Sequence, residues 1–318
     1  MTIKKRRHFL MLSTLLGGLA VSITSQAADA PKADLVNRKE LRVCSDPADL
    51  PFSNEKGEGF ENKIAEIVAD ELKLPLVYTW YPKSMGFIRR TLFAKKCDLV
   101  IGWGQGDELV LNTNHFFRSV SALIYKPGSD LEGVDSLSDP RLKDKRIGVI
   151  GGAPPSDYVN KYGLMGKAKP YRLIVDRRYE SPGEEMVKDI RSGEIDVGVD
   201  WGPIAAYWAK QGGEPLKVVP LLKEQGRVKL HYRITMGVRQ GDDAWKRRIN
   251  EIIAKRQGDI DKVLLDYGVP LLVDNDTSME MITKPRPNGG VAPPEEAKPA
   301  GAAPRASVPL PESALGAR

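Results

Sequence analysis

Residues 92–104 read LFAKKCDLVIGWG, and residues 190–202 read IRSGEIDVGVDWG. Aligned without a gap, Leu92 meets Ile190, Asp98 meets Asp196, Trp103 meets Trp201 and Gly104 meets Gly202. Each stretch runs from a helix end through a turn to an Asp, a compact apolar strand and a Trp-Gly turn. Two similar βαβ units could echo one another by coincidence. The sharper reading is a pair of similar lobes, each placing a Trp-Gly turn at the carboxyl end of a core strand. Ligands of open α/β sheets sit outside those ends, so Trp103 and Trp201 become candidate opposed walls of one cleft.

Outward from the echo, strands alternate with helices. Leu41–Cys44 is a short strand followed by a Pro-rich turn from Asp46 to Pro51. Phe60, Ile64, Ile67, Val68 and Leu72 then recur at helical spacing, and Pro75 stops that helix. Leu76–Tyr81 is β-rich, Met85, Ile88 and Leu92 mark a further helix, and Asp98–Gly102 is a strand. The pattern resumes with strands at Arg146–Ile150, Leu173–Val175, Ile195–Val199 and Leu216–Leu222, and a helix over Met186, Val187 and Ile190 closed by Gly193. Ile234–Val238 returns to β, and two amphipathic helices follow, carrying Trp245, Ile249, Ile252 and Ile253, then Ile260, Val263, Leu264 and Tyr267. Strands joined by helices imply an α/β class with parallel strands covered on both faces.

The ends of the chain read differently. Lys4, Lys5, Arg6 and Arg7, an apolar run from Phe9 to Val21 and the small-residue site Ser25-Gln26-Ala27 form a secretory signal over residues 1–27. The apolar run is short for a membrane span. The formal charge is +6; loss of the signal's four cations leaves +2, too balanced to argue for nucleic acid. From about residue 284 to 318 the chain is rich in Pro and Ala and has little apolar surface to bury, which predicts a disordered tail. Two cysteines occur, Cys44 and Cys97. The strand register places them too far apart for a bridge, so they are expected as buried free thiols.

Catalytic and metal signatures are absent from the sequence. His115 and His231 are the histidines beyond the signal, with no HExxH, no paired Cys-x-x-Cys and no acidic calcium loop. There is no G-x-S-x-G elbow, and Gly102, Gly104 and Gly106 do not make the dinucleotide fingerprint. No cofactor is expected. Gly151-Gly152 precedes a helix start that could hold an anion, but Pro154 and Pro155 lack the N–H groups such a site needs. The remaining candidates are aromatic or near strand ends: Phe52, Trp80, Tyr81, Trp103 and Trp201, with Asp46, Gln105, Pro154 and Asp200 as neighbours, since pockets are largely apolar with few polar groups.

The segments LRVCSDPADLPFS, GFENKIAEIVADEL, CDLVIG, RIGVIGG and IDVGVDWGPIA resemble the family 3 solute-binding proteins of ABC transporters over about residues 40–272. That resemblance implies a periplasmic binding protein type II fold, two α/β lobes joined by two crossover strands near 122–126 and 233–238. Lobe 1 would span 40–125 plus 232–272, and lobe 2 would span 128–228. Amino-acid binders of the family grip the ligand carboxylate with an Arg where Leu109 stands here. They use a hydroxyl pair where Ala153-Pro154-Pro155 stands, and an Asp where Trp201 stands, one residue after Asp200. Amino-acid binding is thus disfavoured, because a buried ligand carboxylate without its Arg is costly to desolvate. CSDPADLPFSNEKGEGFENKIAEIVADEL is similar to the branch of binding-protein-like components associated with quinoprotein alcohol dehydrogenases. That branch implies a periplasmic, non-catalytic accessory of a pyrroloquinoline-quinone methanol dehydrogenase, acting in its maturation or activation. A transport receptor for an uncharged or aromatic small molecule is the alternative, and an enzyme is a third reading, because the family includes a dehydratase.

Overall fold

A computed structural model describes residues 36–289, apart from 38, 225, 276 and 277. The export signal expected over 1–27, and the expected tail beyond residue 289, lie outside the described residues. The first elements are β1 (Leu41–Ser45), the short β2 (Ala48–Asp49) and β3 (Ser53–Asn54), α1 (Phe60–Leu72), β4 (Leu76–Trp80), α2 (Phe87–Arg90), β5 (Val100–Gly104) and the long β6 (Leu111–Tyr125). There follow β7 (Ile147–Ile150), α3 (Pro154–Lys161), β8 (Ala168–Tyr171), α4 (Pro182–Ser192), β9 (Val197–Trp201), α5 (Gly202–Lys210) and β10 (Lys217–Pro220). The last are β11 (His231–Val238), α6 (Asp243–Lys255), α7 (Gln257–Asp266), β12 (Leu271–Leu272) and β13 (Met281–Ile282).

Helix α1 illustrates how sequence sets the elements. Phe60, Ile64, Ala65 and Val68 are fully buried on one face. At its start, the Asn62 side chain accepts a hydrogen bond from the Gly59 amide at 3.1 Å, satisfying one of the donors a helix N-terminus leaves open. Lys73 ends it in the left-handed region, at φ 56, two residues before Pro75.

The architecture is that of a periplasmic binding protein, two α/β halves sharing long strands. One core gathers α1, β1, β5, α6 and α7 around Phe60, Phe116, Met236, Ile249 and Leu264. Two further clusters gather β7, β9, α3, α4 and α5 around Val149, Val197, Val199 and around Met186, Ile190 and Ala205. Strand β6 feeds both halves, with Phe116 and Phe117 in the first core and Val120, Leu123 and Tyr125 in the second. It pairs antiparallel with β11 from His231 opposite Val120 to Val238 opposite Leu111. The strands β1/β4, β7/β8 and β7/β9 are parallel, as alternation with helices predicts. Strands β6, β10 and β11 run antiparallel to their neighbours.

The echo in the sequence is a repeat in space. The amide of Asp98 donates to Arg42 O at 2.9 Å, and the amide of Asp196 donates to Arg146 O at 2.9 Å. Each Asp then turns its carboxylate onto that same arginine, Asp98 to Arg42 at 2.8 Å and Asp196 to Arg146 at 2.7 Å. In both halves an Asp therefore ties the head of the central strand to the chain entering its neighbour.

Four expectations are corrected. Cys44 and Cys97 form a disulfide, with Cα atoms 5.5 Å apart. The amides of Asp98 and Leu99 both donate to the one carbonyl of Arg42, at 2.9 and 3.3 Å, so the chain kinks ahead of β5 instead of running straight. That kink brings Cys97 to Cys44, which a regular register would not. The strand expected at Leu173–Val175 lies at Ala168–Tyr171 instead, and Leu173 and Ile174 are 48% and 66% exposed in the loop that follows. Helix α2 is a single turn, and Met85 stands 87% exposed ahead of it. At the far end, Arg286 is held by the fully buried Asp261 at 2.8 Å and Asn288 accepts from the Gly258 amide at 2.7 Å, so these two residues of the expected tail are tied to α7.

Candidate functional site

The parallel strands β7, β8 and β9 deliver their carboxyl ends to one side of the second half, and a cavity of about 240 Å³ lies there. Its walls are largely apolar, formed by Ile150, Pro154, Leu173, Trp201, Ile204 and Tyr232, with Ser121, Asp200, Arg172 and Arg177 as polar members. Close approach of α4 to the end of β9 shapes its floor. A Cβ built on Gly183 would lie 2.4 Å from Ile204 Cγ2 and 3.1 Å from Asp200 Oδ2, so the first turn of α4 fits there only as glycine.

Asp200 is 6% exposed. Its Oδ1 accepts from the Trp201 amide at 2.7 Å. Burial pushes its pKa up to about 7, against the opposing pull of that amide and of Arg177. Trp201 meets Tyr232 edge to face, with ring centroids 5.7 Å apart. Tyr232 stands on the crossover strand β11, which pairs with β6, so the ring pair ties the cavity to the strands shared by the two halves. Pro154 and Pro155 open α3, and the cavity accordingly receives few backbone donors from that helix.

In the first half, polar side chains near the same strand ends engage one another. Asp46 is buried, accepting from the amides of Ala48 and Lys83. Glu61 is 3% exposed and lies 3.3 Å from Lys83 Nζ. Burial raises the pKa of Glu61, and Lys83 opposes the shift. The Lys83 ammonium also stands 5.8 Å from the Phe52 ring centroid, close enough for cation–π attraction. Asp49 belongs to the same cluster; burial raises its pKa, and Arg177 from the other half opposes this most strongly.

Of the nine residues singled out in the sequence, Pro154, Asp200 and Trp201 line the cavity together. Phe52 packs edge-on against Phe60 at 5.2 Å. Trp80 stacks on Tyr78 at 4.4 Å. The Tyr81 hydroxyl accepts from Arg90 at 3.0 Å. Trp103 stacks on Phe87 at 6.3 Å and packs against the cluster around the disulfide, with its indole N–H buried and unpartnered. Gln105 is exposed, its amide donating to Arg233 O at 3.0 Å. The two tryptophans therefore occupy matching strand ends without lining one cavity. Sequence reasoning missed Arg177, Gly183, Tyr232 and Glu61. The first lies between the strand expected at Leu173–Val175 and the helix expected over Met186, in a stretch given no element, and only the long-range packing reveals the others.

No family model matches the chain. The chain is 43% identical to the periplasmic binding protein XoxJ from Methylobacterium extorquens AM1, over 74% of this chain and all of that one, with a TM-score of 0.63. It is 29% identical over 263 residues to Protein MoxJ of Methylorubrum extorquens, covering 78% of this chain and 86% of that protein. MxaJ from Methlophaga aminisulfidivorans MPT is 27% identical over 73% of this chain and all of its own, with a TM-score of 0.62.

Proposed function

This chain belongs to the periplasmic binding proteins of the XoxJ, MxaJ and MoxJ group, and from that premise we propose that it is a periplasmic, non-catalytic accessory of a pyrroloquinoline-quinone methanol dehydrogenase. It assists maturation or activation of that enzyme by binding it at the cleft between two lobes, lobe 1 over about 40–125 plus 232–272 and lobe 2 over about 128–228. The observation that carries the reading is the state of the lobe-1 side of the cleft. Asp46, Phe52 and Glu61, which could receive an amino acid's ammonium, already hold the amides of Ala48 and Lys83, the Phe60 ring and the Lys83 ammonium. Leu109 stands 48% exposed where an amino-acid binder has its arginine. A binding fold with its amino-acid anchors replaced or used internally suits contact with a protein, which needs surface and not a carboxylate clamp.

The test is a pull-down with the tagged mature protein from periplasmic extract of methanol-grown cells, read by mass spectrometry. A dehydrogenase subunit is expected in the eluate. Membrane permease components in its place would overturn the accessory reading in favour of transport. The apolar cavity favours that second reading, a receptor for an uncharged or aromatic small molecule.

A further inference from the structure

We propose that the cavity at the ends of β7, β8 and β9 binds a small apolar molecule through one uncharged hydrogen-bond donor, received by the free carboxyl oxygen of Asp200. This goes beyond the accessory reading and stands without it. The volume is about 240 Å³; an engineered apolar cavity of about 150 Å³ holds benzene, so a ring with a short substituent fits. The walls from Ile150, Leu173, Trp201 and Ile204 gain by excluding water from such a ring.

The polar groups select the substituent. Arg177 is engaged by Asp49 at 3.4 Å, Arg172 by Glu180 at 2.8 Å, and the Tyr232 hydroxyl donates to Lys229 O at 2.8 Å. Asp200 Oδ1 is taken by the Trp201 amide. Its Oδ2 has no hydrogen-bond partner among the described residues, although the residue is 94% buried and lines the cavity. A buried acceptor of this kind gains from any donor that reaches it. An anionic substituent would stand beside Asp200, where Pro154 and Pro155 supply no N–H groups. A cationic one would meet the two guanidinium groups of Arg172 and Arg177 among the lining residues. A hydroxyl meets neither obstacle, and a carboxyl accepts from it in either protonation state.

The experiment is a calorimetric titration of the purified chain with benzyl alcohol, toluene, benzylamine and benzoate. Benzyl alcohol is expected to bind saturably and at least tenfold more tightly than the other three. Asp200→Val should reduce the alcohol's affinity to that of toluene. Toluene or either ion binding as well as the alcohol, or no binding by any probe, would overturn the proposal on the unmodified chain alone. No dehydrogenase enters the titration, so its outcome is read separately from that of the pull-down.

Discussion

Arg177, in the loop between β8 and α4, places its Nε 3.4 Å from Oδ1 of Asp49, on the short strand β2 that follows β1. The pair spans the two α/β halves, and neither side chain is fully exposed, at 25% and 12%. Asp49, Asp46 and Glu61 put three carboxylates within one buried cluster, against Lys83 from the same half. Arg177 is the second cation, and it is the one that leaves if the halves separate. The ion pair therefore couples the charge balance of the first half to the position of the second.

Replacing Arg177 with Met should shift the chain toward a more open arrangement, seen as a larger radius of gyration in small-angle X-ray scattering. Breaking a fully buried pair costs about 3–5 kcal/mol; with this one partly solvated, about 1–3 kcal/mol is expected in a thermal or urea unfolding series. A double-mutant cycle with Asp49→Asn should return a coupling energy of about 1–2 kcal/mol. An unchanged radius of gyration and no coupling would remove the latch.

The strand-and-helix alternation and the repeated Asp-strand-Trp-Gly unit were legible in the sequence because both are local. The paired Asp98–Arg42 and Asp196–Arg146 geometries show that the repeat reflects one packing solution used twice. What the repeat could not give was the fate of each tryptophan. Trp103 turns toward Phe87 and the disulfide, while Trp201 turns toward Tyr232 and the cavity. Those directions depend on Tyr232, 31 residues further along the chain, in one case and on α2 in the other. Leu173-Ile174-Val175 misled for a related reason. β-branched side chains favour strands, yet the ladder with β7 is already filled by Ala168–Tyr171, and the apolar triplet is left in the loop.

The disulfide joins residues 53 apart in sequence, and Cys44 and Cys97 are 1% and 0% exposed. Closing a loop of that length stabilises by about 4 kcal/mol in the chain-entropy account. Urea unfolding with reductant present should therefore show a markedly lower midpoint than without it. Burial also predicts that reductant acts only as the protein unfolds, so thiol labelling of the native protein should be slow. Equal midpoints in the two conditions would show that the bridge contributes nothing.

Lys83→Met should be more damaging than a substitution at a partly exposed lysine usually is. It leaves Glu61 buried without its cation, at a cost of about 3 kcal/mol. The effect should depend on pH in a defined direction. Burial already raises the Glu61 pKa above its ordinary value, and losing Lys83 raises it further. A carboxyl with a raised folded pKa destabilises the fold above that pKa, and the penalty fades as pH falls toward the unfolded value. The variant should thus recover toward wild-type stability in acid, and Glu61→Gln in the same background should recover it at neutral pH. A flat pH response would contradict the role given to Glu61.

Asp200 supplies the sharpest pH prediction, because its pKa is pushed up to about 7, chiefly by burial. Between its unfolded value near 4 and that folded value, the native state binds more protons than the unfolded state, so this group makes stability fall as pH rises. The charge that faces it is Arg177, which already opposes the shift. Asp200→Asn removes the titration while keeping an oxygen to accept from the Trp201 amide. Its stability relative to wild type should therefore rise from pH 4 to pH 8, by an amount on the order of a few kcal/mol. Unfolding free energies of both proteins across that range provide the measurement. Parallel curves would mean that Asp200 stays ionised in the folded protein and that its free oxygen is solvated, which would also weaken the case for a hydroxyl ligand there.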